Sequence, residues 1–506
     1  MTFPSSTVVQ TVGSDPILRP GRRWLWACLA VFGSAGLLLR FGLAVLWPTM
    51  HRPDELFQNL EPAHRLWTGW GIVTWEWREG IRSWFYPDIL YGIMQATSLL
   101  HWPQDWAVPA VWAVMSALSI GVVVVGVELG WRRSGVVGAV LCGTLCAFWP
   151  DLVYFGPKTL VEVQAGNLLI IAAGLAGVDA IGGKRRLPWR MAAIGLTLGL
   201  AFALRFQLAL ALGLVALWAA RADWRRWLPL VGGAAIPLVL LGIIDFVTWG
   251  SPFQSIWKNV QVNFFEGRAN TYGAQPAAWY AVELARRYGA ALLPLMVLFV
   301  IGARRAPLLA LLAAVVVGFH SLITHKEISF IYAALPPAIV VAGLGSARLI
   351  EAVPGLLRAP LPTRTVTVAV TAAWCLVLLL TGLASAPYDE SMMMASLRTA
   401  WNNVRARPDM CGLGLYGRLF PFPWAYTSGY SGLNRSVPIY LILGPDELAR
   451  SKTGFNYLLA RTADIPELQD YDVVRCKWDM CVLHRDQPCE TVPELEINNV
   501  NARTGY

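Results

Sequence analysis

The stretch MAAIGLTLGLAFALRFQLALALGLVALWAA, residues 191–220, decides how this chain is organised. It is 30 residues long and apolar almost throughout, with Arg205 and Gln207 at its middle. One membrane crossing takes roughly 20 apolar residues, and a charged side chain at the bilayer centre is costly. A single helix would strand Arg205 in hydrocarbon. Two short helices, 191–204 and 208–220, instead bring Arg205 and Gln207 to a polar tip.

Outward from that pair, further apolar runs mark spans at about 24–47, 106–129, 135–150, 160–182, 228–247, 288–303, 307–324, 328–349 and 366–385. With the helix pair these make 11 crossings, and 88–101 adds an interfacial helix. Short loops rich in Lys and Arg face the cytoplasm. Arg22-Arg23, Arg132-Arg133, Lys184-Arg185-Arg186 with Arg190, Arg221 with Arg225-Arg226, Arg304-Arg305, and Arg358 with Arg364 all fall on one side. They do so only if 191–220 crosses twice. Residues 48–88, 151–158, 248–287, 325–327 and the tail then share the external face. Residues 1–21 lack the apolar core of a cleavable signal peptide.

Composition agrees. Of 506 residues 56% are hydrophobic and 14% charged, against about 25% charged in a soluble chain. A soluble enzyme, a disordered chain and a nucleic-acid binder are poor readings. The net charge of +9 is unevenly placed. Residues 1–385 carry 29 basic and 18 acidic side chains, and residues 386–506 carry 12 and 14. The expected domains are therefore a cytoplasmic N-terminus (1–23), a helical membrane bundle (24–385) and a small external α+β domain (386–506).

Four of the eight cysteines, Cys411, Cys476, Cys481 and Cys489, lie in that tail. In an oxidising compartment they suit two disulfides, with three connectivities open. A zinc site is the alternative, with His484 as the nearby histidine.

The segment 51–87, HRPDELFQNLEPAHRLWTGWGIVTWEWREGIRSWFYP, places ionisable groups beside five Trp just after the first span. Carboxylates at a membrane surface lose solvation and their pKa rises unless cations or hydrogen bonds compensate. Asp54 and Glu55 are thus set to be a catalytic base or half of an ion pair, with Arg52, Arg65, Arg78 and Arg82 at hand. The plainer reading is a surface loop with interfacial Trp anchors. Against it, long irregular loops are functional or disordered, and this one is too aromatic for disorder.

The run His51-x-Pro53-Asp54-Glu55, then Glu61-Pro62-x-His64, then Gly69-x-Gly71-x-x-Thr74-Trp75-Glu76-Trp77, then Ile81-Arg82-Ser83 resembles the first lumenal loop of glycosyltransferase family 22. These are mannosyltransferases of GPI-anchor and N-glycan assembly with the GT-C fold, and they use dolichyl-phosphate-mannose. His325-Lys326-Glu327 with Phe330 and Pro336 resembles a second family segment, and Arg205-Phe206-Gln207 a third. The resemblance spans roughly residues 25–350. It departs at Ser329, where the family carries Arg.

The resemblance implies an inverting transfer from a β-linked polyprenyl- or dolichyl-phosphate sugar, giving an α-linked product on a glycan or glycolipid. Such a displacement needs a base for the acceptor hydroxyl and cations for the departing phosphate. It implies Asp54 as the base, with Glu55 second. His325, Lys326, Glu327, Arg205, Gln207 and Arg82 are candidates for the donor phosphate and sugar. Glu61, His64, Trp75, Glu76 and Trp77 are candidates for the acceptor side, although interfacial anchoring is the simpler role for the Trp. No metal, cofactor or nucleic acid is expected. The compartment is a bacterial inner membrane on composition, or the ER membrane in a eukaryote. A transporter or lipid-linked-sugar flippase is the alternative, and a receptor with an external disulfide domain a third reading. Both leave the charge of the first loop unexplained.

Overall fold

Residues 188–220 form two helices, Pro188–Leu204 and Ala209–Ala220, joined at Arg205 and a single 3-10 turn, Phe206–Leu208. Arg205 leaves the helical region with φ −146° and ψ 85°, so the polar tip is a real break. The computed structural model describes residues 21–182, 188–352, 362–384, 400, 402–417, 429–433, 436–477 and 479–504. Lys184-Arg185-Arg186, Arg358 and the boundary at 386 lie outside them.

This is a multi-pass integral membrane protein, mostly helical. Among the described residues, 6 helices are long and apolar enough to cross a membrane, and four shorter apolar helices accompany them. One of the six, Gln104–Phe148, is interrupted: the backbone leaves helical geometry at Ser134 and Gly135, where Gly135 has φ 58°. Positive φ there suits glycine. The arms on either side match the expected spans 106–129 and 135–150.

Close helix approach is written into small residues. A methyl group at Gly195 would overlap the Leu230 carbonyl, and one at Gly233 the Ala192 carbonyl. Helices Pro188–Leu204 and Trp224–Trp249 therefore pack backbone to backbone, which lipid-embedded helices achieve through small side chains. Arg40 is the buried charge that the sequence reading passed over. Its guanidinium donates to the carbonyls of Gly36, Ala147 and Cys146 at 3.0, 2.8 and 2.9 Å. It thereby satisfies carbonyls that the end of helix Gly121–Phe148 leaves without partners.

The first loop is not irregular, contrary to expectation. It runs as helix Pro53–Glu55, a π turn Leu56–Leu60 and helix Glu61–Thr68, then a short helix Trp75–Arg78. Leu56, Phe57, Leu60 and Ala63 are buried along one face at helical spacing. The interfacial helix runs Phe85–Leu99.

The tail forms a five-stranded sheet of order β2-β1-β3-β5-β4. The strands are β1 Leu413–Tyr416, β2 Ile439–Ile442, β3 Tyr457–Arg461, β4 Asp472–Lys477 and β5 Met480–His484. β1 pairs parallel with β2 and β3, whereas β5 pairs antiparallel with β3 and β4. The cysteines pair as Cys476–Cys481 across the β4–β5 hairpin and as Cys411–Cys489.

Candidate active site

Asp54 stands in the first turn of the helix that Pro53 opens. Pro fits there because its missing N–H is one that a helix start leaves unbonded anyway. Asp54 is partly exposed, and among the described residues its carboxylate makes no ion pair and accepts no hydrogen bond. Burial of the carboxyl and the nearby negative charges of Glu327 and Glu76 push its pKa up to about 7, against the opposing pull of Arg82.

Three carboxylates surround it, each held by a guanidinium. Glu327 lies 3.8 Å from Arg52 and 3.6 Å from His325. Burial alone would raise the Glu327 pKa, but the His325 hydrogen bond and the Arg52 charge hold it at about 2. In return the Glu327 hydrogen bond holds the His325 pKa above its ordinary value. Glu76 accepts from Gln58 at 2.9 Å, Thr74 at 2.8 Å and Arg82 at 3.4 Å. Glu162, at the start of helix Val161–Gly182, lies 3.5 Å from Arg205. Arg205 also stacks 4.7 Å above the Phe330 ring, a favourable use of a charge near hydrocarbon.

Beside this group opens a small cleft of ≈ 70 Å³, lined among others by Gln58, Asn59, Arg82, Arg205, Gln207 and Asn259. It draws on the first loop, the tip of the helix pair and helix Gln254–Val260. Asp54, Glu76, Arg82, Arg205, Gln207, His325 and Glu327 thus belong to one neighbourhood.

Other expected residues turn elsewhere. Glu55 is buried, accepts the His51 backbone N–H at 2.9 Å and pairs with Lys158 at 3.6 Å. Its partner is Lys158, not Arg52. The Lys326 ammonium donates to the carbonyls of Ile323 and Gln275, so in this structure it is spent on backbone. Glu61 and His64 face the tail side: Glu61 accepts N–H groups of Tyr430 and Ser431, and the His64 Nδ1 contacts the Trp70 carbonyl at 2.7 Å. Trp75 and Trp77 are buried rather than interfacial. Arg268 covers the Trp75 face at 3.6 Å, and Trp77 packs on Trp84 while its Nε1 donates to the Phe57 carbonyl at 3.0 Å.

Glu162 and Lys158 were not legible as site neighbours. A sign was present in each case: an ionisable group at the external end of an apolar run is costly to leave unpaired. His51, in the expected motif, stays neutral because burial and Arg52 press its pKa down to about 3. Its ring packs edge-on against Tyr154 and Phe155.

Comparison with known proteins gives the family and the fold. The pattern of the Alg9-like mannosyltransferase family matches residues 34–408. GPI mannosyltransferase 3 of Yarrowia lipolytica is 27% identical over 409 residues, covering 80% of this chain and 75% of that protein. GPI alpha-1,2-mannosyltransferase 3 of Danio rerio is 26% identical over 322 residues, covering 62% of this chain and 59% of that protein. The crystal structure of ArnT from Cupriavidus metallidurans bound to undecaprenyl phosphate superposes with a TM-score of 0.57 at 14% identity, over 92% of this chain and 98% of that one. The likeness to ArnT establishes a shared GT-C-like fold. With its family pattern running from the first span into the tail, the chain belongs to the Alg9-like mannosyltransferase family.

Proposed function

We propose that this protein transfers mannose, with inversion, from a polyprenyl-phosphate-mannose to a hydroxyl of a glycan or glycolipid at the external membrane face. The observation that carries the reading is the unpaired Asp54 carboxyl, with its pKa near 7, beside a cleft that holds Arg82 and Arg205. A general base works best when its pKa lies near the working pH. The family membership supports mannose, and the polyprenyl phosphate held by the ArnT structure supports the donor class.

In the reaction the acceptor oxygen attacks the anomeric carbon and the bond from that carbon to the phosphate oxygen breaks. The electron pair leaves with the phosphate. The hydroxyl proton passes to Asp54. Arg82 and Arg205 stabilise the charge that grows on the departing phosphate, and protonated His325 adds to them. Gln207 and Asn259 offer neutral hydrogen bonds to sugar hydroxyls. Glu55, clasped by Lys158, holds the turn that carries Asp54. Eleven crossings, with the basic loops in the cytoplasm, set residues 48–88 and the tail domain on the same external side.

The test is turnover of radiolabelled polyprenyl-phosphate-mannose by purified protein in lipid from its own membrane. Asp54→Asn should lower kcat by about 10²–10⁴, the usual share of a general base. Undiminished turnover would remove Asp54 from that role.

A further inference from the structure

The tail domain and the first loop share one apolar core. Met50, Leu56, Phe57, Leu60, Ala63 and Ile72 cluster with tail residues that include Tyr430, Ile439 and Ile497. At its edge lies a set of polar contacts that join positions more than 360 residues apart. Glu61 is fully buried, and its carboxylate accepts three backbone N–H groups: Ile72 at 3.0 Å, Tyr430 at 2.7 Å and Ser431 at 3.0 Å. A buried carboxylate is tolerated only when bonded in this way. Gly429 has φ +57°, and a Cβ on it would collide with the Glu61 carboxylate, so that position needs glycine.

Asn498 completes the junction. Its Oδ1 accepts the Val73 N–H at 2.8 Å and its Nδ2 donates to the Gly71 carbonyl at 3.1 Å. An aspartate could make the first bond but not the second. Arg78 donates to the Asn501 carbonyl at 3.0 Å and to the Val73 carbonyl at 2.8 Å. The extended piece 71–73 is therefore gripped from both sides, and it runs directly into Thr74. Thr74 donates to Glu76, which also binds Gln58 and Arg82. Gln58 is one turn beyond Asp54.

We propose that the tail domain is a clamp for the catalytic loop, with Glu61 and Asn498 as positioning residues that fix Glu76, Arg82 and the turn bearing Asp54. The inference rests on the catalytic reading of Asp54. It gives the tail a part in the transfer without any contact to the sugar.

The test uses the full-length protein with Asn498→Ala and Glu61→Gln. Arg461→Ala, which breaks the Arg461–Asp479 pair inside the tail, is the control. Hydrogen exchange of the amides from Ile72 to Arg82 should quicken by about 10-fold or more in the first two variants and stay unchanged in the control. With undecaprenyl-phosphate-[³H]mannose as probe, kcat should fall by about 10- to 100-fold while the KM for the probe stays within about threefold, the pattern of misplaced rather than missing groups. Asn498→Ala removes no buried charge and guards against a folding failure of Glu61→Gln. Unchanged exchange in both variants, or faster exchange with kcat intact, would overturn the clamp. Faster exchange in Asn498→Ala beside a wild type that never consumes the probe would uphold the clamp and sink the mannosyl reading instead.

Discussion

Two substitutions around Asp54 should move the pH profile in opposite directions. Glu327 and Glu76 push the Asp54 pKa up and Arg82 pulls it down, and burial sets the value near 7. A base works only when ionised, so kcat/KM should fall as pH drops through about 7. Glu327→Gln removes a negative charge and frees Arg52 and His325 from their partner, so the Asp54 pKa and the acid limb should move down. Arg82→Gln removes a positive charge and frees Glu76, so the limb should move up. Two unit charges about 6 Å apart interact by about 0.7 kcal/mol in water and about 2.8 kcal/mol at an effective dielectric constant near 20. At 1.36 kcal/mol per unit that is a shift of about 0.5 to 2 pH units. Glu327 titrates near 2 and stays charged across the range studied. His325, held above its ordinary pKa by Glu327, should set a basic limb that also moves down in Glu327→Gln. The assay is the initial rate of label release from polyprenyl-phosphate-mannose between pH 5 and 9, at low substrate. An acid limb that ignores both substitutions, or moves the same way in both, would refute Asp54 as the titrating base.

The buried Glu55–Lys158 pair gives a stability test: Lys158→Met leaves a buried carboxylate unpaired and should cost on the order of 3 kcal/mol. Glu55→Gln added to it should recover much of the loss in detergent-solubilised thermal unfolding. The Cys411–Cys489 link closes 78 residues, a constraint worth about 4 kcal/mol by chain entropy. With both replaced by Ser, limited proteolysis should cut the tail at lower temperature while the helical bundle stays whole. Because the proposed reaction draws the positive charge for the leaving phosphate from Arg82, Arg205 and His325, excess EDTA should leave turnover unchanged. Loss restored by Mg²⁺ or Mn²⁺ would show that a metal shares that task.

The membrane helices were legible because apolar length is a local property. The break at Arg205 was legible too, since a charge cannot sit at mid-membrane without a reason. The first loop was only half legible. Its residues announced chemistry and its apolar residues 56, 57, 60 and 63 carry helical spacing, yet partners distant in sequence hid individual roles. Nothing near Glu61 says that its acceptors are filled by Tyr430 and Ser431, 369 and 370 residues away. Nothing near Trp75 says that Arg268 will cover it. Nor does the sequence near Lys326 say that its ammonium donates to the Ile323 and Gln275 carbonyls.

Ser329 shows how the site manages its charges. Where the resemblance implies Arg, the position is fully buried and the Ser329 hydroxyl donates to Glu327 at 3.3 Å. The cation that Glu327 needs arrives instead from Arg52, across the gap between the 325–327 segment and the first loop. The Arg52–Glu327 pair is a tie between two segments. The same logic holds for Glu76 with Arg82 and Glu162 with Arg205. Each guanidinium is matched to a carboxylate, and among these groups Asp54 is left without one. In the proposed reaction a donor phosphate drawn to Arg82 and Arg205 competes with Glu76 and Glu162 for them. Its own negative charge, added beside Asp54, can only raise the Asp54 pKa further. Donor binding therefore makes Asp54 more basic but leaves less of it ionised at pH 7, so the acid limb of kcat should lie above that of kcat/KM. Without donor, the paired carboxylates keep the arginines in place.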